Sequence, residues 1–197
     1  MTAPPLPDFR VRRRLAETIL SALHDPGARA VLASLARDPG VVAAWLAPAE
    51  AQQCRAVLAR AQRASTVLAA EPLRPASSAT LAEALQTAAL FFDAGLFFEA
   101  HEVLEPHWRL ARKGAREVLQ GLIQIAVGYQ HLAAGNASGA RALLGQGVAR
   151  VRGRRLLGAS LDSFAESVAR TLEQVGTTAT CEVAAPAFPR GRETSSP

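Results

Sequence analysis

The order of apolar and polar residues along the chain predicts a series of α-helices. Apolar residues recur at spacings of three and four over residues 9–23, which places them on one helical face. The triplets Asp25-Pro26-Gly27 and Asp38-Pro39-Gly40 each supply an aspartate N-cap followed by proline at the first helical position. They therefore separate short helices, and a longer helix is predicted over residues 48–70.

Proline and serine mark a boundary in the middle of the chain. Residues 71–78 contain two prolines and two serines, which predicts a linker, and Thr80 with Glu83 then forms the pattern of a capping box. We expect a disordered lead-in at 1–8, an N-terminal helical subdomain at 9–70, the linker at 71–78, a helical bundle at 79–175 and a disordered tail at 176–197.

A weak internal repeat predicts two helical hairpins in the second part. Residues 94–100 and 134–140 both begin with Ala-Gly after an apolar helix and end on alanine. Glycine supplies the left-handed conformation that often ends a helix, so Gly95 and Gly135 each predict a tight turn between antiparallel helices. Such pairs are similar to tetratricopeptide hairpins, and two of them would close into a bundle.

Composition narrows the fold class to all-α. Alanine and leucine dominate the apolar residues, and aromatic residues are only 5% of the chain. The two cysteines exclude a disulfide framework. No stretch has the length of a signal peptide or of a transmembrane helix, so we expect a cytoplasmic protein.

The formal net charge of +5 raises the question of an acidic partner. The basic residues are almost all arginine, with Lys113 the single lysine, and they cluster at 10–14 and 150–155. Neither cluster is interleaved with aromatic residues as in proteins that bind single strands, so we interpret both as solvated helix faces.

Chemically capable side chains concentrate in the predicted helix around residue 101. His101, Glu105 and Trp108 are four and three positions apart and share one face at the border of an apolar stripe. Glu102 points further round, on the side of Arg109.

The next predicted helix carries a matching polar stripe. Gln120, Gln124 and His131 fall within an arc of about 40° on a helical wheel. Buried polar groups need hydrogen-bond partners, and we expect them in His101 and Glu105 on the preceding helix. The sequence thus predicts a buried polar seam, defined as His101, Glu102, Glu105, Trp108, Gln120, Gln124 and His131.

The same residues carry a resemblance to a known family. The run of residues 91–105, Trp108, the stretch 119–124, His131 and Gly135-Asn136 resemble the domain-of-unknown-function family 309, DUF309, over about residues 80–175. The resemblance implies a compact helical bundle and brings no established activity. Pro106 departs from the family pattern and frees the Glu102 carbonyl, so a kink is expected beside Glu105.

Several functions are compatible with these residues. The leading hypothesis is a non-catalytic helical module that binds a protein partner, with the polar seam fixing its conformation. His101-Glu102 resembles the start of the zinc-protease pattern, but Glu105 replaces the second histidine. The alternative is therefore a divalent-metal protein or metal-dependent hydrolase that uses His101, Glu105 and His131. A small-ligand pocket lined by Trp108 and Tyr129, and a basic nucleic-acid-associated protein, remain further alternatives.

Overall fold

The computed structural model describes residues 6–74, 80–175 and 184–190. The chain divides into two compact units, an N-terminal unit, Met1–Ser77, and a C-terminal unit, Ser78–Pro197. In the described residues the fold is predominantly α-helical, which confirms the predicted all-α class. None of the described helices is both long and apolar enough to cross a membrane.

The described residues of the N-terminal unit, 6–74, form four α-helices and one 3-10 helix. They are α1 Phe9–Ser21, α2 Pro26–Arg37, α3 Pro39–Trp45, the 3-10 helix Pro48–Gln53 and α4 Cys54–Ala69. Asp25 and Asp38 cap α2 and α3 by accepting hydrogen bonds from backbone N–H groups of the first turn, as the two Asp-Pro-Gly triplets predict. The predicted helix over 48–70 begins instead as a 3-10 turn.

In the C-terminal unit, the part of the chain that the structure describes forms five α-helices and a very short β-hairpin. They are α5 Leu81–Asp93, α6 Phe97–Leu110, α7 Lys113–Ala133, α8 Ala137–Val151, the strands β1 Arg155–Leu156 and β2 Ala159–Ser160, and α9 Asp162–Gln174. Thr80 and Glu83 form the capping box of α5. The helix α6 continues through Pro106 to Leu110.

The two Ala-Gly turns join helices in the way the repeat predicts. Gly95 between α5 and α6 has φ 74°, and Gly135 between α7 and α8 has φ 72°. At the first turn Gly95 donates to the Phe92 carbonyl and Leu96 to the Phe91 carbonyl, and the second turn repeats this pair of bonds. These are the two hydrogen bonds of a Schellman motif, which satisfies the last carbonyls of each first helix.

Glycines allow α7 and α8 to approach closely. A Cβ atom on Gly121 would lie 3.1 Å from the Gly147 carbonyl oxygen, and one on Gly147 would lie 2.8 Å from the Gly121 carbonyl oxygen. A Cβ on Gly128 would lie 2.6 Å from Leu144 Cδ2. This helix pair therefore depends on residues without side chains at its crossing.

The small β-hairpin was not predicted by the helical periodicity. Its strands pair antiparallel with Arg155 opposite Ser160 and Leu156 opposite Ala159. The connecting residues Leu157 and Gly158 both have positive φ, which suits a two-residue hairpin turn. Two-residue strands are too short to show any alternation of apolar and polar residues.

The chain ends differ in part from the disordered segments expected from composition. Asp8 caps α1 by accepting from the Val11 N–H at 3.0 Å. Residues 184–190, which we call the strap, lie against the C-terminal unit with Phe188 only 2% exposed. The rest of the predicted lead-in, linker and tail at 1–5, 75–78, 176–183 and 191–197 lies outside the described residues.

Candidate functional site

The helix α6 brings one histidine and two glutamates together. The distance from His101 Nδ1 to Glu102 Oε1 is 3.5 Å, and that from His101 Nε2 to Glu105 Oε2 is 3.9 Å. One ligand atom from each of the three side chains lies within 4.8 Å of the others. We call His101, Glu102 and Glu105 the α6 cluster.

The α6 cluster lies at the border between core and solvent. The His101 side chain is 21% exposed, and the side chains of Glu102 and Glu105 are 30% and 29% exposed. The neighbouring Phe98 ring meets the imidazole edge at 5.8 Å between centroids. The three side chains are therefore partly exposed, with one apolar ring beside the imidazole.

One polar atom in the α6 cluster has no hydrogen bond. His101 Nδ1 is buried, and the Glu102 oxygen at 3.5 Å does not complete a hydrogen bond with it. Buried nitrogen atoms are normally hydrogen-bonded or bound to a metal, and an exception in a native fold needs an explanation.

Arg109 orients one of the two carboxylates. Its guanidinium donates to Glu105 Oε1 at 2.7 Å, one helical turn along α6. The other oxygen, Oε2, is the one that faces His101 Nε2. The ion pair thus holds Glu105 by one oxygen and leaves the second available to the cluster.

The aromatic side chains Trp108 and Tyr129 are held by other partners. The Arg116 guanidinium stacks on the Trp108 ring at 4.4 Å from its centroid. Tyr129 is 1% exposed, and its hydroxyl is 2.8 Å from the Thr171 hydroxyl. Burial raises the pKa of Tyr129 to about 12. These contacts make Tyr129 a core residue rather than the wall of an open pocket.

Gln124 of the α7 stripe is hydrogen-bonded to α8, so the partners predicted for it on α6 are wrong. Its amide donates to Gln146 Oε1 at 2.9 Å, and its carbonyl accepts from Arg150 Nε at 3.0 Å. Arg150 also donates to Glu117 at 2.6 Å. We call these four residues the α7–α8 network; Gln120, one turn before Gln124, is half-buried.

His131 is likewise directed away from the partners predicted for it. Its Nδ1 is 3.0 Å from the Asn136 side-chain nitrogen across the turn between α7 and α8. Asn136 in turn caps α8 by accepting from the Gly139 N–H. The structure thus groups His101 and Glu105 with Glu102, and His131 of the predicted metal set is not part of this group.

Sequence reasoning missed one buried acidic residue near the cluster. Glu99 is fully buried in the first turn of α6. A carboxylate there is favoured by the positive end of the helix dipole. Its neighbours Phe98 and Ala100 are also buried, but each lies about 100° away around the helix, so periodicity gave no signal for the burial of Glu99.

The fold and these clusters define an all-α helical bundle with a histidine–carboxylate group on one helix. Residues 85–143 match the family model described as a domain of unknown function, DUF309. The match confirms the resemblance for this part of the chain and includes the α6 cluster, whereas Gln146, Arg150 and the strap lie beyond it. No curated protein and no solved structure matches the chain.

Proposed function

We propose that the C-terminal unit is a helical binding module whose ligand is a divalent metal ion held by His101, Glu102 and Glu105. The observation that carries this proposal is the convergence of three donors within 4.8 Å on the border of the core. One imidazole nitrogen and one oxygen from each carboxylate would be the ligands.

The three donors lie near one another, at separations wider than those of a formed metal site. Bonds of about 2.0–2.2 Å in a tetrahedral or octahedral arrangement separate neighbouring ligand atoms by about 3–3.5 Å. One ligand atom from each of the three side chains lies within 4.8 Å of the others, so the glutamate side chains would have to rotate toward a single imidazole nitrogen to close the site. Most of the positioning is done by the helix itself.

The donor types narrow the class of ion. Imidazole with carboxylate favours zinc, manganese or ferrous iron, because calcium prefers an all-oxygen shell and thiolates are not part of the cluster. Three protein ligands would leave coordination positions for water or for a further ligand. The hydrolase alternative would use those positions, and it depends on metal binding being established first.

The contacts of the arginines favour the metal proposal over nucleic-acid binding. Arg150 is bound by Glu117 and Gln124. In the N-terminal unit, Arg14 donates to Glu50 at 3.0 Å and stacks on Trp45 at 3.9 Å from the ring centroid. An arginine from each basic cluster thus has protein partners, so fewer guanidinium groups are left for phosphate contacts.

Isothermal titration calorimetry with zinc and manganese tests the proposal on the full chain. We expect wild-type protein to bind one ion, and we expect His101→Ala and Glu105→Gln to weaken binding at least tenfold, since each removes or weakens one of three ligands. His107→Ala is the matched control, because His107 is on α6 but not in the cluster. Equal binding by wild type and His101→Ala would contradict the proposal.

A further inference from the structure

The strap packs its aromatic side chain against two aromatic rings of the C-terminal unit. The Phe188 ring lies between Phe92 of α5 and Phe164 of α9, at 4.8 Å and 5.4 Å between ring centroids. Phe92 and Phe164 also meet edge to face at 6.3 Å. Phe188 is therefore buried in an aromatic cluster, edge to face with Phe164 and tilted against Phe92.

A single carboxylate anchors the backbone and the charged end of the strap. Asp93 Oδ1 accepts from the Phe188 N–H at 2.8 Å, and Asp93 Oδ2 accepts from the Arg190 guanidinium at 2.6 Å. Asp93 is the last residue of α5, whose last turn contains no basic side chain. A carboxylate at this end is opposed by the helix dipole, so the two strap donors offset an otherwise unfavourable charge.

The sequence of the strap suits an extended ligand. Pro186 and Pro189 restrict the residues before them to extended or polyproline conformations. Such a segment loses less conformational entropy on docking than a flexible one. Pro189 also sets the spacing between the aromatic anchor Phe188 and the charged anchor Arg190.

We propose that Phe92, Asp93 and Phe164 form a peptide-recognition groove that selects an extended Phe-Pro-Arg segment, and that the chain's own strap is its resident, reversibly docked ligand. Within the described residues the ion pair of the strap is partly exposed, with the Arg190 side chain at 55% and the Asp93 side chain at 29%, so it contributes a weak contact. Covalent attachment makes docking of the strap an intramolecular step, which keeps a contact occupied that would be weak between separate molecules.

A peptide titration on full-length protein tests the proposal. The probe is a fluorescent peptide with the sequence of residues 184–190, and the receptor is Phe188→Ala, whose own strap lacks the aromatic anchor. We expect saturable binding to this variant and at least tenfold weaker apparent binding to wild type, whose strap competes. Adding Asp93→Ala should weaken binding about tenfold or more, because it removes a charge-assisted contact.

A second variant covers the case in which Phe188→Ala perturbs the core. Arg190→Ala removes only the exposed charged anchor, and we expect faster hydrogen exchange at the Phe188 amide than in wild type. Any one of three results would overturn the proposal. The peptide does not bind Phe188→Ala, or it binds equally well after Asp93→Ala is added. The third is that Arg190→Ala leaves hydrogen exchange at the Phe188 amide unchanged. The metal titration is independent of these outcomes.

Discussion

Replacing Gly147 with alanine should force α7 and α8 apart. The added Cβ would lie 2.5 Å from Ile125 Cγ1 and 2.8 Å from the Gly121 carbonyl oxygen. The second contact is with backbone, which cannot turn away as a side chain can. Gly145, two residues earlier on α8, is a matched control, because a Cβ there meets nothing within 4 Å.

The difference in unfolding free energy between Gly145→Ala and Gly147→Ala measures the packing cost of a Cβ atom at position 147. Each substitution gains helix propensity of about 0.8–1.0 kcal/mol, since glycine is replaced by alanine inside a helix. Overpacking a close contact costs about 1–3 kcal/mol. We therefore expect Gly145→Ala to raise the free energy of unfolding by about 1 kcal/mol and Gly147→Ala to be about 1–3 kcal/mol less stable than Gly145→Ala.

Urea unfolding followed by Trp108 fluorescence measures this difference. The chain has two tryptophans, so a Trp45→Phe background leaves Trp108 as the probe of the C-terminal unit. The unfolding free energies of the two variants are compared only if their slopes against urea concentration are equal. Equal stability of the two variants, or a more stable Gly147→Ala, would refute the close approach of α7 and α8.

Two further predictions concern the C-terminal unit. Because burial raises the pKa of Tyr129 to about 12, the unfolded chain loses this proton first, near pH 10. The raised pKa of Tyr129 therefore stabilises the folded state fully below about pH 10. This contribution to the free energy of unfolding falls by about 3 kcal/mol as the pH rises toward about 12. Tyr129→Phe should lose less unfolding free energy over this pH range than wild type. Tyr129 is the single tyrosine of the chain, so tyrosinate absorbance should appear only with unfolding or near the raised pKa. Thr80→Ala removes the side-chain cap of α5 and should cost about 0.5–2 kcal/mol of unfolding free energy, with Thr80→Ser as a near-neutral control; a neutral Thr80→Ala would contradict the capping role.

The turns and caps could be predicted because their signals are local. Gly95 and Gly135 supply the positive φ that the two Ala-Gly turns require, and Asp25 and Asp38 cap the helices that follow them. Each of these features depends on a few adjacent residues. The strap could not be predicted, because Phe188 is buried by residues of α5 and α9 that are distant in sequence.

The sequence contains a signal for the helix that Gln124 contacts, and helical periodicity alone does not use it. Periodicity placed Gln124 on one face but did not identify which neighbouring helix that face contacts. Gln124 lies three positions after Gly121 and four before Gly128, so it shares their face. Glycines on one face indicate the closest helix contact, and here that contact is with α8.

The α6 cluster was predictable only in part. His101 and Glu105 are four residues apart and therefore share a helix face. Glu102 is about 100° further round the helix, and only its long side chain lets an oxygen come within 3.5 Å of the imidazole. Side-chain reach of this kind is not visible in a helical wheel.

Elemental mass spectrometry of untagged full-length protein tests the central claim most directly. After incubation with zinc or manganese and removal of unbound ions, we expect about one ion per chain in wild type and in His107→Ala. We expect the ion to be lost in His101→Ala, because the imidazole nitrogen of the α6 cluster is gone. A wild-type protein that takes up neither metal, or a His101→Ala variant that retains it, would contradict metal binding at this site.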